Sequence, residues 1–224
     1  MILCVADVLD AEQLAALRRD LDEDSHFRDG RETAGWHARQ VKANQQADGQ
    51  APVVRQWSER LGEAIRRHPL FQMAARPARM TPVRFSRYRS GMHYGNHVDD
   101  PVMGGATPVR TDLSFTLFLE APEDYDGGEL VTDTTAGEQR YKLPAGAMIL
   151  YPSSTLHRVE PVTRGQRRVA IGWVQSQVRD PAAREILFDL DTARRGLFER
   201  EGKSETFDLM SKSLANLQRM WVEV

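Results

Sequence analysis

The sequence predicts a mainly β protein, an antiparallel sandwich or jelly roll, with helices before and after the β-region in the chain. From Met80 onward the spacing of apolar residues changes from a helical period to alternation, and proline or glycine interrupts it about every eight to twelve residues. No helical pattern lies between the alternating stretches, which disfavours a doubly wound parallel sheet. Six stretches fit β-strands: residues 83–89, 111–120, 129–134, 147–151, 158–162 and 167–175.

The chain begins with a predicted strand and a predicted helix. The first nine residues are mostly apolar, but Asp7 interrupts them and no basic segment precedes them, so they indicate a strand and not a signal peptide. Asp10 can cap a helix over residues 10–24, with Gln13 placed for a capping box. The apolar stripe of this helix consists of Leu14, Leu17 and Leu21.

Residues 25–50 are polar and glycine-containing, and they predict a long irregular connection. Pro52 then stands at the first position of a second helix, which ends at His68 because Pro69 follows. The apolar side of this helix consists of Val54, Trp57, Leu61 and Ile65.

The last part of the chain predicts a helical hairpin. Asp180 and Pro181 form a capped start, and the segment around Gly202 separates two amphipathic stripes. The apolar faces must pack either on the β-domain or on another subunit, so a homo-oligomer formed through the hairpin is one expectation. The predicted division is an N-terminal segment packed on the core (1–79), the β-domain (80–177) and the hairpin (178–224).

Composition narrows the class of protein. Lys and Arg together number 30 against 32 Asp and Glu, a formal net charge of −2, so no basic field suggests a nucleic-acid or membrane partner. Cys4 is the only cysteine, which is consistent with a reducing compartment. No run approaches the roughly 20 apolar residues of a membrane-spanning helix. A soluble, cytoplasmic protein is therefore expected.

Two histidines and one aspartate predict a metal site. His97 and Asp99 occupy positions i and i+2 of an extended segment, so both side chains point to the same face. His157 follows a Pro-Ser-Ser turn and can supply a third ligand from a distant strand. Two imidazoles and one carboxylate are the ligand set of non-haem Fe(II) oxygenases, which leave the opposite face of the metal open.

Arg167 begins a predicted strand and shares a face with apolar residues of that strand. An inward-facing arginine needs a carboxylate partner, and a free dicarboxylate can provide one through bidentate hydrogen bonds. The alternatives are an ion pair with a protein acid such as Glu129, or plain solvation. Further candidates for the pocket or its immediate surroundings are His93, Tyr94, Met148 and Trp173, each of which an ordinary structural role also explains.

Together these residues resemble the prolyl/lysyl-hydroxylase-domain group of Fe(II)/2-oxoglutarate dioxygenases, and most closely the bacterial PKHD-type hydroxylases. The resemblance covers nearly the whole chain. Its motifs are Tyr88-x-x-Gly91, His97-x-Asp99, Gly127-Gly128-Glu129-Leu130, His157 and Gly165-x-Arg167.

The resemblance implies a double-stranded β-helix that binds Fe(II) through His97, Asp99 and His157. It also implies that Arg167 binds the distal carboxylate of 2-oxoglutarate, with Tyr88 as a second donor. L-Ascorbate commonly supports such enzymes, and this group is associated with iron homeostasis and siderophore uptake. The hydroxylated substrate, a small molecule or a peptidyl residue, is left open. Two alternatives stand beside this interpretation: a cupin-like metalloprotein that uses no keto acid, and a binding protein without turnover.

Overall fold

The structure, a computed structural model, describes residues 1–223 of the 224-residue chain. Five α-helices are found in these residues: α1 (Ala11–Asp20), α2 (Pro52–Arg67), α3 (Pro69–Ala75), α4 (Pro181–Glu201) and α5 (Glu205–Trp221). The strands of the first half are β1 (Leu3–Val5), β2 (Phe27–Asp29), β3 (Lys42–Ala43), β4 (Gln45–Ala47), β5 (Pro77–Met80), β6 (Arg84–Arg89), β7 (His93–His97), β8 (Val102–Met103) and β9 (Val109–Arg110). Those that follow are β10 (Leu113–Phe118), β11 (Tyr125–Gly127), β12 (Leu130–Thr134), β13 (Gly137–Tyr141), β14 (Met148–Pro152), β15 (Leu156–Val159) and β16 (Val162–Ser176).

The strands form two antiparallel sheets, which is the jelly roll that the alternating pattern predicts. The larger sheet has the order β1-β14-β10-β16-β6-β4-β2, and β5 and β11 also pair with β16. The smaller sheet has the order β13-β12-β15-β7-β3, and β8 pairs with β9 as a separate ribbon. The 15-residue strand β16 is the centre of the larger sheet because it pairs with four other strands.

The N-terminal segment is woven into both sheets. Strand β1 pairs with β14, and β4 pairs with β6, so both extend the larger sheet. Strand β3 instead pairs with β7 of the smaller sheet. The predicted irregular connection at residues 25–50 is therefore wrong in part, since three short strands lie within it. The predicted boundary at residue 79 likewise separates segments that share sheets.

Helices α1 to α3 cover the outer face of the larger sheet. Asp10 caps α1 through a capping box with Gln13, and Pro52 occupies the first turn of α2, as the sequence predicts. Their apolar stripes meet the outward-facing side chains of β10 and β14 in one buried cluster. Phe118, Tyr151 and Val169 point the other way, toward the smaller sheet, and belong to a second cluster between the sheets. This alternation leaves the space between the sheets for a site.

The C-terminal hairpin is confirmed and packs on the rest of the chain. Asp180 caps α4 by accepting hydrogen bonds from two backbone amides, and Ser204 caps α5. The buried residues Leu187 and Leu214 belong to a small cluster of their own. The amino group of Met1 lies 3.2 Å from a carboxylate oxygen of Glu185, which ties the first strand to α4. Within residues 1–223 the structure contains no helix with the length and apolar character needed to cross a bilayer.

Candidate active site

The two predicted histidine ligands are brought together by strand pairing. His97 ends β7 and His157 lies in β15, where the register makes them direct partners. Asp99 follows two residues after His97, just beyond the end of the strand. One ligand atom from each of the three side chains lies within 4.8 Å of the other two. The three residues thus converge on one point between the sheets.

Hydrogen bonds fix how each ligand presents its free atoms. The Nδ1 atom of His97 lies 2.8 Å from the carbonyl oxygen of Gly95, and Nδ1 of His157 lies 2.9 Å from that of Thr155. A carbonyl can only accept, so each Nδ1 carries the proton and each Nε2 offers a lone pair to the site. The hydroxyl of Ser114 donates to Oδ2 of Asp99 at 2.6 Å and orients that carboxylate.

The protonation state also suits metal binding. Burial, followed by the neighbouring His157, lowers the pKa of His97, so the ring is neutral near pH 7. The ring of Tyr94 stacks on that of His97 with centroids 3.6 Å apart and restricts its rotation. Two imidazoles that each offer Nε2 and one oriented carboxylate, on a single side of a cavity, form a donor set that fits Fe(II) with open coordination positions.

Arg167 is a buried cation whose charge has no counterpart in the described chain. Its side chain is 1% exposed, and its Nε and Nη1 atoms find no hydrogen-bond partner in residues 1–223. No salt bridge of this part of the chain involves Arg167, so the alternative pairing with Glu129 is not present. A buried unpaired guanidinium is costly. This part of the cavity is therefore suited to an anion.

The neighbours of Arg167 are aromatic or have no side chain. Its guanidinium lies 5.0 Å from the ring centroid of Tyr88 and 5.5 Å from that of Phe118. Burial raises the pKa of Tyr88, which keeps its phenol protonated and available as a donor. A Cβ atom on Gly128 would come within 3.0 Å of Cδ of Arg167, and the φ angle of Gly128 is +68°. Gly128 therefore leaves room for the arginine as well as for its own turn.

One cavity of about 260 Å³ connects the triad of His97, Asp99 and His157 with Arg167. Its lining includes Tyr88, Tyr94 and Trp173, three of the residues that the sequence analysis places in a pocket. Lining residues that the sequence analysis does not identify include Lys42, Asn44, Arg84, Ser114, Thr116 and Tyr151. The triad, a buried cation and free volume thus lie in a single space between the sheets.

Two of the predicted pocket residues lie elsewhere. Met148 is fully buried in the cluster beneath the helices, because β14 turns Ile149 and Tyr151, not Met148, toward the smaller sheet. His93 lines a separate shallow depression on the surface, and its Nδ1 lies 3.4 Å from the carbonyl oxygen of Gly91. Neither residue contacts the cavity, so both assignments are corrected.

An alternating sequence pattern marks some of these further lining residues as inward-facing, but not others. Ser114 and Thr116 alternate with apolar residues along β10, and that period could have marked them as inward-facing. Lys42 and Asn44 lie in the polar segment that the sequence predicts to be irregular, so no period reveals which of its side chains turn inward.

The jelly roll and its His-Asp-His cluster define a class of protein, the non-haem iron oxygenases. A family model described as the 2OG-Fe(II) oxygenase superfamily matches residues 83–175, which contain the triad and Arg167. A PKHD-type hydroxylase of Acaryochloris marina is 56% identical over 223 residues, covering 100% of both chains. One of Synechococcus elongatus is 53% identical over 224 residues, again covering 100% of both. The chain belongs to the PKHD-type hydroxylases of the 2OG-Fe(II) oxygenase superfamily.

Solved structures are similar in fold. A prolyl-4-hydroxylase of Pseudomonas putida has a TM-score of 0.52 and 24% identity, and the match covers 78% of this chain and 92% of that one. A 2OG-Fe(II) oxygenase family oxidoreductase of Burkholderia pseudomallei has a TM-score of 0.54 and 16% identity, covering 78% and 84%. At these identities the likeness supports the jelly-roll fold alone.

Proposed function

We propose that this Fe(II)- and 2-oxoglutarate-dependent dioxygenase holds its metal through His97, Asp99 and His157 and binds 2-oxoglutarate through Arg167. The observation that supports this proposal best is that three oriented ligands and one unpaired buried arginine line the same cavity. When bound, Fe(II) couples the oxidative decarboxylation of 2-oxoglutarate to hydroxylation of a substrate C–H bond.

The residues of this chain bind and orient the co-substrate. The guanidinium of Arg167 meets the far carboxylate with parallel N–H donors, a geometry that lysine cannot reproduce. The protonated phenol of Tyr88, beside that guanidinium, supplies a further hydrogen bond. Because Arg167 lines the same cavity as the three ligands without being one of them, it fixes the orientation of the keto acid relative to the metal.

The remaining side chains hold the site rigid and exclude water. Ser114 keeps one carboxylate oxygen of Asp99 occupied, and the Gly95 and Thr155 carbonyls keep both histidines in one tautomer. The aromatic rings of Tyr94 and Tyr151 lie against the two histidines, with centroid distances of 3.6 Å and 5.2 Å. A dry, fixed surrounding directs a reactive oxidant to its substrate instead of to the protein.

The proposal also includes a reductant, a physiological role, a cellular location and an oligomeric state. L-Ascorbate as a reductant that keeps the iron active, and a role in iron homeostasis or siderophore uptake, both rest on the family resemblance. A cytoplasmic location rests on the single cysteine, Cys4. A homo-oligomer through the hairpin is supported by large apolar side chains exposed on α4 and α5, among them Phe198 and Leu209.

The decisive experiment measures succinate. Purified protein is incubated in air with Fe(II) and 2-oxoglutarate, with and without ascorbate, and succinate is quantified by chromatography. We expect slow succinate formation without added substrate, and none when Fe(II) is replaced by Mn(II). A protein that binds Fe(II) and 2-oxoglutarate but yields no succinate, alone or with a cell extract, would instead be a binding protein.

A further inference from the structure

Two cations of the cavity remain without an anion after the metal and the co-substrate are assigned. Lys42 is 6% exposed, and its Nζ donates one hydrogen bond, to Oγ1 of Thr33 at 3.2 Å. The guanidinium of Arg84 lies over the ring of Trp173, 5.4 Å from its centroid. Neither side chain forms a salt bridge with any carboxylate of residues 1–223.

Along the sheet, the strand position of Arg84 lies farther from that of Arg167 than the length of one molecule of 2-oxoglutarate. On β6, Tyr88 pairs with Arg167 of β16 and Arg84 pairs with Ile171, so Arg84 and Tyr88 share a face four residues apart. Four residues of a strand extend about 13 Å. The carbon chain between the two carboxyl groups of 2-oxoglutarate has four bonds of about 1.5 Å each. The co-substrate bound at Arg167 therefore leaves Arg84 free.

Lys42 and Arg84 both line the cavity, and a chain of polar contacts leads from Lys42 to the strand that carries Arg84. Lys42 donates to Thr33, Thr33 contacts Gln46, and Nε2 of Gln46 lies 3.3 Å from Oγ of Ser86, two residues from Arg84 on β6. Lys42 is on β3, where it pairs with Tyr94, and its Nζ lies 5.0 Å from the centroid of that ring. Burial, followed by the positive charge of Arg84, lowers the pKa of Lys42 to about 8. Tyr94 in turn stacks on the ligand His97. An anion held by this pair would thus lie beside the metal site.

The charge of the cavity indicates which anion fits. One carboxylate of 2-oxoglutarate neutralises Arg167, and the other, together with Asp99, neutralises a divalent metal. Lys42, Arg84 and Asp100 are the charged lining residues that remain, and they leave one net positive charge. A carboxylate supplies one negative charge, whereas a phosphate monoester brings about −1.5 to −2 at pH 7.

The mouth of the cavity adds an apolar surface. Val98 and Val102 are lining residues with exposed side chains. Trp36 is 81% exposed and stands between the lining residues Gly35 and His37. A substrate that enters here passes apolar side chains before its charged group reaches the two cations.

We infer that Lys42 and Arg84 form the binding site for a carboxylate on the hydroxylated substrate, a small amphipathic acid. This inference rests on the proposed function, because it needs Arg167 and Asp99 to be occupied by the co-substrate and the metal. The planar fork of Arg84 offers paired donors to the carboxylate, and Lys42 supplies a second charge from the neighbouring sheet. The carbon skeleton of the acid then extends past Tyr94 toward the metal.

Calorimetric titration tests the inference with defined probes. Protein saturated with Mn(II) and 2-oxoglutarate is titrated with hexanoate, hexanamide, hexyl phosphate and hexylammonium. We expect hexanoate to bind more tightly than the other three. In Lys42→Met and Arg84→Met, hexanoate binding should weaken at least about tenfold, because each variant loses a charged hydrogen bond. Arg84→Lys should restore part of the affinity.

Arg55→Met provides the control, since Arg55 is an exposed arginine of α2 and its loss changes the net charge by the same amount. Hexanoate that binds all variants equally, binds no better than hexanamide, or does not bind the parent protein would overturn the inference. A preference for hexyl phosphate would reassign the site to phosphate esters and overturn the carboxylate assignment.

The affinity for 2-oxoglutarate is measured on the same samples. An equal loss of 2-oxoglutarate affinity in Lys42→Met and Arg84→Met would mean that both act on the co-substrate, which contradicts the inference. A parent protein that fails to bind 2-oxoglutarate would contradict the proposed function instead. Because Arg84 is exposed, its variant keeps the test informative even if Lys42→Met does not fold.

Discussion

His97 and His157 face each other as direct partners across β7 and β15, and their ring centroids lie 4.2 Å apart. The two residues are distant in sequence, so the antiparallel pairing is what makes them neighbours. A slip of one residue in this register would turn one imidazole out of the cavity. Correct pairing of β7 with β15 therefore also brings the two histidines of the triad together.

Removing a triad ligand should abolish both metal binding and turnover. In His97→Ala, Asp99→Ala and His157→Ala we expect no stoichiometric Fe(II) after anaerobic dialysis, because two remaining donors do not hold the ion. His93→Ala is the matched control, since His93 lies outside the cavity, and it should retain iron. Full iron occupancy in both His97→Ala and His157→Ala would refute the assignment.

Ser114→Ala should weaken metal binding without removing a ligand. The hydroxyl of Ser114 orients Asp99 through a 2.6 Å hydrogen bond, and losing such a partner typically costs about 10–100-fold in metal affinity. Competition with a chromogenic chelator measures the change. Ser153→Ala is the control, because Ser153 contacts Ser114 at 2.7 Å and makes no hydrogen bond to Asp99 within residues 1–223. Equal losses in both variants would argue against the orienting role.

Arg167→Ala should raise the KM for 2-oxoglutarate while leaving Fe(II) binding nearly unchanged. A desolvated charged hydrogen bond lost from one partner costs about 2–5 kcal/mol, and each 1.4 kcal/mol is about tenfold in binding. The expected rise is therefore roughly 30-fold to several thousand-fold, with Arg167→Lys less impaired. Succinate formation against 2-oxoglutarate concentration measures it. An unchanged KM in Arg167→Ala would refute the role of Arg167.

Arg168 is the natural comparison, since it follows Arg167 directly on β16. It points to the opposite face of β16, where it forms an ion pair with the buried carboxylate of Glu120 and donates to the carbonyl oxygen of Arg18 at 3.0 Å. Arg168→Ala should lower the free energy of unfolding and leave the KM for 2-oxoglutarate unchanged. Breaking a buried pair costs about 3–5 kcal/mol, and Arg18, 3.2 Å from Glu120, reduces that loss. Urea titration measures the difference.

Deleting the hairpin after Gln177 should destabilise the protein. The buried side chains of Leu187 and Leu214 each contribute about 1.5–3 kcal/mol through burial. The deletion also removes the contact between Glu185 and the amino terminus. We expect aggregation or a changed oligomeric state in size-exclusion chromatography. A truncated protein that stays soluble, keeps its thermal midpoint and elutes with the same subunit count would contradict this prediction.

The sequence predicts the fold and the triad because both depend on period. His97 and Asp99 share a face through the alternation of an extended segment, and Arg167 stands out because its strand is otherwise apolar. The prediction that Met148 lines the pocket fails because every residue from 148 to 151 is buried. Burial alone therefore does not reveal which face of the strand meets the cavity. Lys42 is not predicted as a cavity residue for a different reason. Its strand has only two residues and lies in a polar segment, so no alternation marks it as a strand.

Strands of the N-terminal segment pair in both sheets, and this has a consequence for biosynthesis. Strand β1 has no partner until β14 is made, since Leu3 pairs with Leu150. At roughly 5–20 residues per second, that interval lasts about 7–30 s on the ribosome. One edge of β6 and one edge of β10 also stay unpaired until β16 is made, although for shorter intervals. During that time the nascent chain presents unpaired strand edges. Refolding from denaturant should therefore be slow, and its yield should fall as the protein concentration rises.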